Sequence, residues 1–200
     1  MARAIDILMN EHLVILRVLG SLEAFVVKMD RGIEGERAFL GDYVNFLHNF
    51  ADKCHHGKEE GILFEKMLSY GFPAKVGPLA VMRHEHALGR EHLSALACVT
   101  QGSGPLSKRE RETVRNHAVA YVDLLRTHIV KENNLLYPMA LAAIPGSEME
   151  TLAADFDTFE EQEMSPGRHE RLHVLADHLV AVFPSDPTNA SPGPGCCGRG

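Results

Sequence analysis

The residues most able to do chemistry occur twice in the same order. Glu11-His12 is followed by His55-x-x-x-Glu59, and Glu85-His86 by His128-x-x-x-Glu132. The two histidine-to-histidine steps, from His12 to His55 and from His86 to His128, are 43 and 42 residues. Residues four apart on a helix lie one above the other on one face, so each His-x-x-x-Glu unit offers a nitrogen and a carboxylate to one point. Two such helices, with one histidine from each of two others, supply four imidazoles and two carboxylates. A carboxylate can bridge two ions, so the set suits a metal pair. Nitrogen and oxygen donors without thiolate fit iron or manganese, and zinc is compatible. A lone histidine is more often a surface or packed core residue, but matched repeated pairs are a stronger signal.

His56 and Glu60 offer the same spacing one position further on. Phe64 lies five residues after Glu59, as Tyr137 does after Glu132, and this correspondence selects His55 and Glu59. On a regular α-helix His56 and Glu60 then point about 100° away, toward a flank or solvent.

Helices must position these groups. Apolar residues recur at three- and four-residue steps, as at Leu8, Ile15, Leu19 and Leu22 with His12 in the same stripe. Glycine and proline clusters interrupt the pattern at Gly32 and Gly35, Gly71-Phe72-Pro73, Gly102 to Pro105 and Pro145-Gly146. No segment alternates polar and apolar residues as a hairpin requires. Ser107 and Glu110 form a capping-box pattern, and Pro138 should kink or tighten the end of its helix. Helices are expected at 4–30, 36–70, 74–101, 107–142 and 148–183, the last one interrupted at Pro166-Gly167. The fold class is all-α: an antiparallel up-down four-helix bundle with an additional C-terminal helical segment. One domain is expected over residues 1–184, with the metal bundle at about 4–142, the extension at about 147–183 and a flexible, disordered tail at 185–200.

The composition narrows the partners. A formal charge of −7 and a sequence pI of 5.9 argue against nucleic acid and against an anionic membrane surface. Asp6, Glu11, His12 and Arg17 interrupt the apolar N-terminus, so neither a signal segment nor a membrane span is expected and the reading is cytoplasmic. Four cysteines, two of them adjacent at Cys196-Cys197, make no disulfide framework. Twelve histidines in 200 residues are the anomaly, since imidazole is the commonest metal ligand.

The stretches NEH, HHGKEEGILF, RHEHALGR and HIVKENNLLYP resemble the hemerythrin-like family of HHE cation-binding domains over about residues 4–142. The resemblance implies a four-helix bundle around two non-haem iron ions, oxo- or hydroxo-bridged, with His12, His55, Glu59, His86, His128 and Glu132 as ligands. The oxygen carriers of this family have a fifth histidine four residues from the third-helix ligand, where this chain has Met82 or Arg90. Their last carboxylate is an aspartate five residues after its histidine, where this chain has Glu132 at four. Both features look instead like the non-carrier relatives that include iron-sulfur-cluster repair proteins. The expected ligand is a small molecule (dioxygen, nitric oxide or peroxide), bound for sensing, detoxification or iron-centre repair. The alternatives are a zinc metallopeptidase using His169, Glu170 and His173, or a non-catalytic iron-holding role, and whether the protein turns over a substrate is open.

His169-Glu170-Arg171-Leu172-His173 spells the HExxH pattern of zinc peptidases, but no substrate-binding strand or third ligand accompanies it. The resemblance offers His169 a milder role behind the metal site. His48 and Tyr121, each seven residues before a ligand histidine, are candidates for the layer behind the ligands, Tyr121 also for a tyrosinate ligand. His84, His92, His117 and His178 have no such assignment, and Cys54 reads as a small buried residue.

Overall fold

Burial follows the helical periodicity that the sequence displays. In the computed structural model, which describes residues 3–163 and 167–185, Leu8, His12, Ile15, Leu19 and Leu22 are all buried on one stripe of α1 (Arg3–Asp30). A second, composite helix α2 covers residues 36–69, α3 covers Gly77–Thr100, and a composite α4 covers residues 108–143. Two shorter helices follow, α5 (Gly146–Glu163) and α6 (Arg168–Val182). Among the described residues there is no strand. The tail with Cys196 and Cys197, and Pro166, lie outside the described residues.

The connections act as the turn residues demand. Gly32 stops α1 at a φ of 80°, and Gly71 stops α2 at a φ of 87°, backbone conformations that glycine adopts without a Cβ clash. The Ser107–Glu110 capping box opens α4 with both of its hydrogen bonds made. Arg37 and Glu36 of α2 bind the end of α3 and the loop that follows it: Arg37 donates to the carbonyls of Val99 and Gly104, and Glu36 accepts from the Leu106 amide.

Four helices close into a ring in which α1, α2, α3 and α4 each pack on the next and α4 returns to α1. Their order of burial shows the alternating direction. Along α1 the residues Ile5 and Leu8 belong to one apolar layer and Ile15 to Phe25 to the other, with His12 between them. Along α2 the order is reversed: Leu40 to Cys54 precede the polar level, and Leu63, Phe64 and Met67 follow it. The helices α5 and α6 lie against α1 and α2, where Phe183 packs edge-on to Phe25 and Phe39.

The two helices that carry the His-x-x-x-Glu units are not regular. Residues Leu47–His56, Glu59–Leu63 and Glu132–Leu136 are π-helical. Such wide turns carry an i→i+5 hydrogen bond and concentrate at functional sites. The third lies just before Pro138, which lacks the amide hydrogen that a regular turn would use. The helix runs on through it to Ala143. The expected tightening at Pro138 is thus a local widening.

No helix among the described residues is long and apolar enough to cross a membrane.

Candidate metal centre

A layer of buried polar groups separates the two apolar halves of the bundle. His12, His55, Glu59, His86, His128 and Glu132 are each no more than 1 % exposed. Their ligand atoms fall into two sets that share Glu59. One set is His12, His55, Glu59 and Glu132; the other is His56, Glu59, His86 and His128, and within each set the atoms lie within 4.8 Å of one another. Glu132 also approaches the second set, with Oε1 2.9 Å from His128 Nε2 and 3.9 Å from His86 Nε2, while its Oε2 lies 3.1 Å from His12 Nε2.

The outer nitrogen of each of these four histidines is committed elsewhere. His55 Nδ1 donates to Glu11 at 2.8 Å and His128 Nδ1 to Glu85 at 3.0 Å. His86 Nδ1 donates to Glu60 at 2.5 Å and His12 Nδ1 to the Asn133 side-chain oxygen at 2.9 Å. A carboxylate or amide oxygen can only accept, so each Nδ1 carries a proton and each Nε2 is left facing the interior. The repeat therefore extends behind the ligands: the glutamate of each Glu-His pair orients the histidine of the His-x-x-x-Glu helix, and the residue after each ligand glutamate orients the other histidine. Lys58 pairs with Glu11, and Lys131 with Glu85. The aromatic groups repeat as well, Phe64 lying parallel to His86 and Tyr137 parallel to His12.

Metal fits this arrangement on the evidence of its own atoms. His55 Nε2, Glu59 Oε2 and both Glu132 oxygens are buried without a hydrogen-bond partner. Such groups are costly to bury unsatisfied, and here they converge. Burial pushes the His55 imidazole down to about 3 and holds His56 well below its ordinary value, so both are neutral, as a ligand must be. Burial also works against charge on His12, His86 and His128, but Glu132 and Glu59 outweigh it and raise all three. Despite burial, those imidazoles hold Glu132 well below the usual carboxylate range. Protons thus stand in for metal between the same groups.

A pH dependence follows with a definite sign. The raised histidines stabilise the metal-free fold below the unfolded histidine value, and that stabilisation is lost as pH rises through their folded values. Metal replaces those protons. Metal-free protein should therefore lose thermal stability on going from neutral to alkaline pH, and loaded protein should lose less. Thermal melts of both forms across that range check this.

His56 corrects the sequence expectation. It is buried, 3 % exposed, rather than turned to a flank or solvent. Its ring lies parallel to His86 with centroids 3.8 Å apart and faces His128 edge-on at 5.7 Å. The expected angle assumed a regular α-helix, whereas the π-helical segment ending at His56 lowers the angle between successive side chains and brings both histidines inside. Glu60 does turn to the flank, but it holds His86 and accepts from Arg90 at 2.9 Å.

The other singled-out residues are placed as follows. His48 is half exposed, 3.8 Å from Asp52. Tyr121 is buried with its hydroxyl unpartnered, and burial raises it above the usual phenol range, which keeps it neutral in the metal-free protein. His169 gathers with Glu11 and Glu160, outside both ligand sets. Its HExxH partner His173 stands edge-on to it, Glu170 is exposed, and no third ligand joins the two histidines among the described residues. Tyr137 served the sequence reading as a register mark and proves part of the site: its hydroxyl donates to Glu59 at 2.8 Å and lies 3.3 Å from His12 Nε2.

A cation-binding helical bundle is thus the class that fold and site define. The chain belongs to the Hemerythrin HHE cation binding domain family, which it matches over residues 3–140. It is 34 % identical over 106 residues to the iron-sulfur cluster repair protein YtfE of Citrobacter koseri, covering 52 % of this chain and 47 % of that one. A YtfE from Salmonella paratyphi B is 35 % identical over the same length and shares. The uncharacterized protein Rv1995 of Mycobacterium tuberculosis is 22 % identical over 156 residues, 78 % of this chain and 59 % of that one. The chain thus spans roughly half of the length of the curated relatives it matches. No solved structure matches.

Proposed function

We propose that the protein is a non-haem di-iron protein that binds a small molecule, nitric oxide, dioxygen or peroxide, in the service of iron-centre repair or detoxification. The convergence of candidate ligand atoms from four helices on two overlapping sets, with those of His55, Glu59 and Glu132 lacking a hydrogen-bond partner, carries this reading. His12 and His55 would hold one ion and His86 and His128 the other, with Glu59 and Glu132 shared and His56 adding a further imidazole on the second side. When bound, the irons would supply redox equivalents and coordination positions for the small molecule.

The protein's own groups define the rest. Glu11, Glu60, Glu85 and Asn133 hold the four imidazoles in one tautomer, Tyr137 holds Glu59, and the apolar layers on either side exclude water. The two sides are unequal in nitrogen donors, which leaves the His12–His55 side the more open to an outside ligand. The similarity to proteins named for iron-sulfur cluster repair supports the repair reading over oxygen carriage.

Iron analysis with nitric oxide and azide titrations tests this. The reduced protein should bind nitric oxide and the oxidised protein azide, each with new visible absorption, and air should oxidise the reduced form. A loaded protein inert to both ligands would leave an iron-holding role instead.

A further inference from the structure

The repeat gives each half of the centre the same rear layer, yet the halves sit in different surroundings. Behind His128, the Lys131 side chain is 35 % exposed and pairs with Glu85 at the edge of the bundle. Behind His55, the Lys58 side chain is wholly buried. The helices α5 and α6 seal it. Glu160 of α5 brings one oxygen to 3.3 Å from Lys58 Nζ and the other to 3.3 Å from His169 Nδ1 of α6. Cys54 Sγ lies 3.9 Å from Glu160. The approach is close, since a Cβ on Gly57 would come within 2.7 Å of the Phe159 ring of α5. Both helices lie beyond residues 3–140, the segment that matches the family.

We propose that Glu160 is a positioning residue for the metal side formed by His12 and His55, and that through it the C-terminal helix pair makes the two sides of the centre inequivalent. This rests on the di-iron reading. Lys58 is an ammonium shared between two carboxylates in a water-poor site. Glu160 balances part of its charge, and Glu11 keeps its second oxygen on the His55 Nδ1–H. Without Glu160 the ammonium draws on Glu11 alone, the hydrogen bond to His55 weakens, and the imidazole becomes a poorer donor. Charge also acts at longer range in a medium of low dielectric. The Lys131–Glu85 pair is the built-in control, because water screens it.

The test uses the full chain loaded with iron, read by Mössbauer spectra and by the midpoint potential. Glu160→Gln leaves extra positive charge near His55 and should raise the potential, altering the doublet of one iron and sparing the other. Lys58→Met removes a positive charge and should move the potential down. Glu160→Asp should return it toward the parent value, and Lys131→Met should shift it less than Lys58→Met. A packing defect alone would not reverse sign with charge. An unchanged potential and unchanged doublets in Glu160→Gln would overturn the proposal, as would a shift in the same direction in Glu160→Gln and Lys58→Met. If Lys58→Met does not fold, Glu160→Gln against the parent decides. A parent chain that takes up no iron pair would instead defeat the di-iron reading, and the role of Glu160 with it.

Discussion

Replacing Glu132 with alanine should abolish binding of both ions, with an affinity loss above the roughly 10- to 100-fold typical of residues behind a ligand. Glu132 has its two oxygens aimed at different sets: Oε2 at His12 and Oε1 at His128. On the proposed two-ion assignment, deleting His12 would remove one donor from one ion, whereas deleting Glu132 would remove a donor from each. The metal-free variant carries a second mark. Glu132 is foremost among the charges that keep His12 and His128 protonated against burial, so their titration should move down. Glu59→Ala should behave alike, with the added loss of the acceptor for the Tyr137 hydroxyl. Iron analysis after gel filtration reads the first effect, and histidine NMR titration of metal-free protein the second. Retention of one full equivalent of iron by Glu132→Ala would show that the glutamate does not serve both ions.

A pair of matched substitutions should differ in cost. Glu11→Ala removes the nearest anion from the fully buried Lys58 and the acceptor from His55 Nδ1. Breaking a buried pair in this way costs on the order of 3 kcal/mol, because the remaining charge stays uncompensated; Glu160 is left to hold it at 3.3 Å. Glu85→Ala makes the same deletion in the other half, but the partly exposed Lys131 can turn to water. Its cost should be smaller, about 1–2 kcal/mol, set mainly by the orphaned His128 Nδ1–H rather than by Lys131. Urea unfolding of the two metal-free variants measures the difference, and equal costs would show that α5 and α6 do not isolate Lys58.

The repeat was legible in the sequence because helical spacing is a strong constraint. His12, His55, Glu59, His86, His128 and Glu132 all converge in one buried layer, as the two His-x-x-x-Glu units require. The helices also fall within a few residues of their expected ends, since glycine turns and a capping box mark them. His56 was misplaced for a definable reason. Nothing in local composition announces a π-helical turn, and placing His56 by a regular turn sends it outward. Tyr137 was overlooked because an aromatic at helical spacing usually packs, and only the fold brings its hydroxyl to Glu59 across 78 positions of chain. Glu160 and His169 were harder still. Their part depends on where α5 and α6 dock, and no repeat or motif encodes that. The pairing of Glu11 with His55 could have been found from the sequence, because Glu85 and His128 stand in the same relation within the repeat.

The measurement that bears most directly on the central claim is a crystal structure of the iron-loaded chain with anomalous scattering recorded at the iron edge. Two peaks are expected inside the bundle, one against His12 and His55 and the other against His86 and His128 with His56 beside it, both in contact with Glu59 and Glu132. A single peak held by one of the two sets, or iron bound at Glu11, Glu160 and His169 while the central layer stays free of metal, would contradict the account.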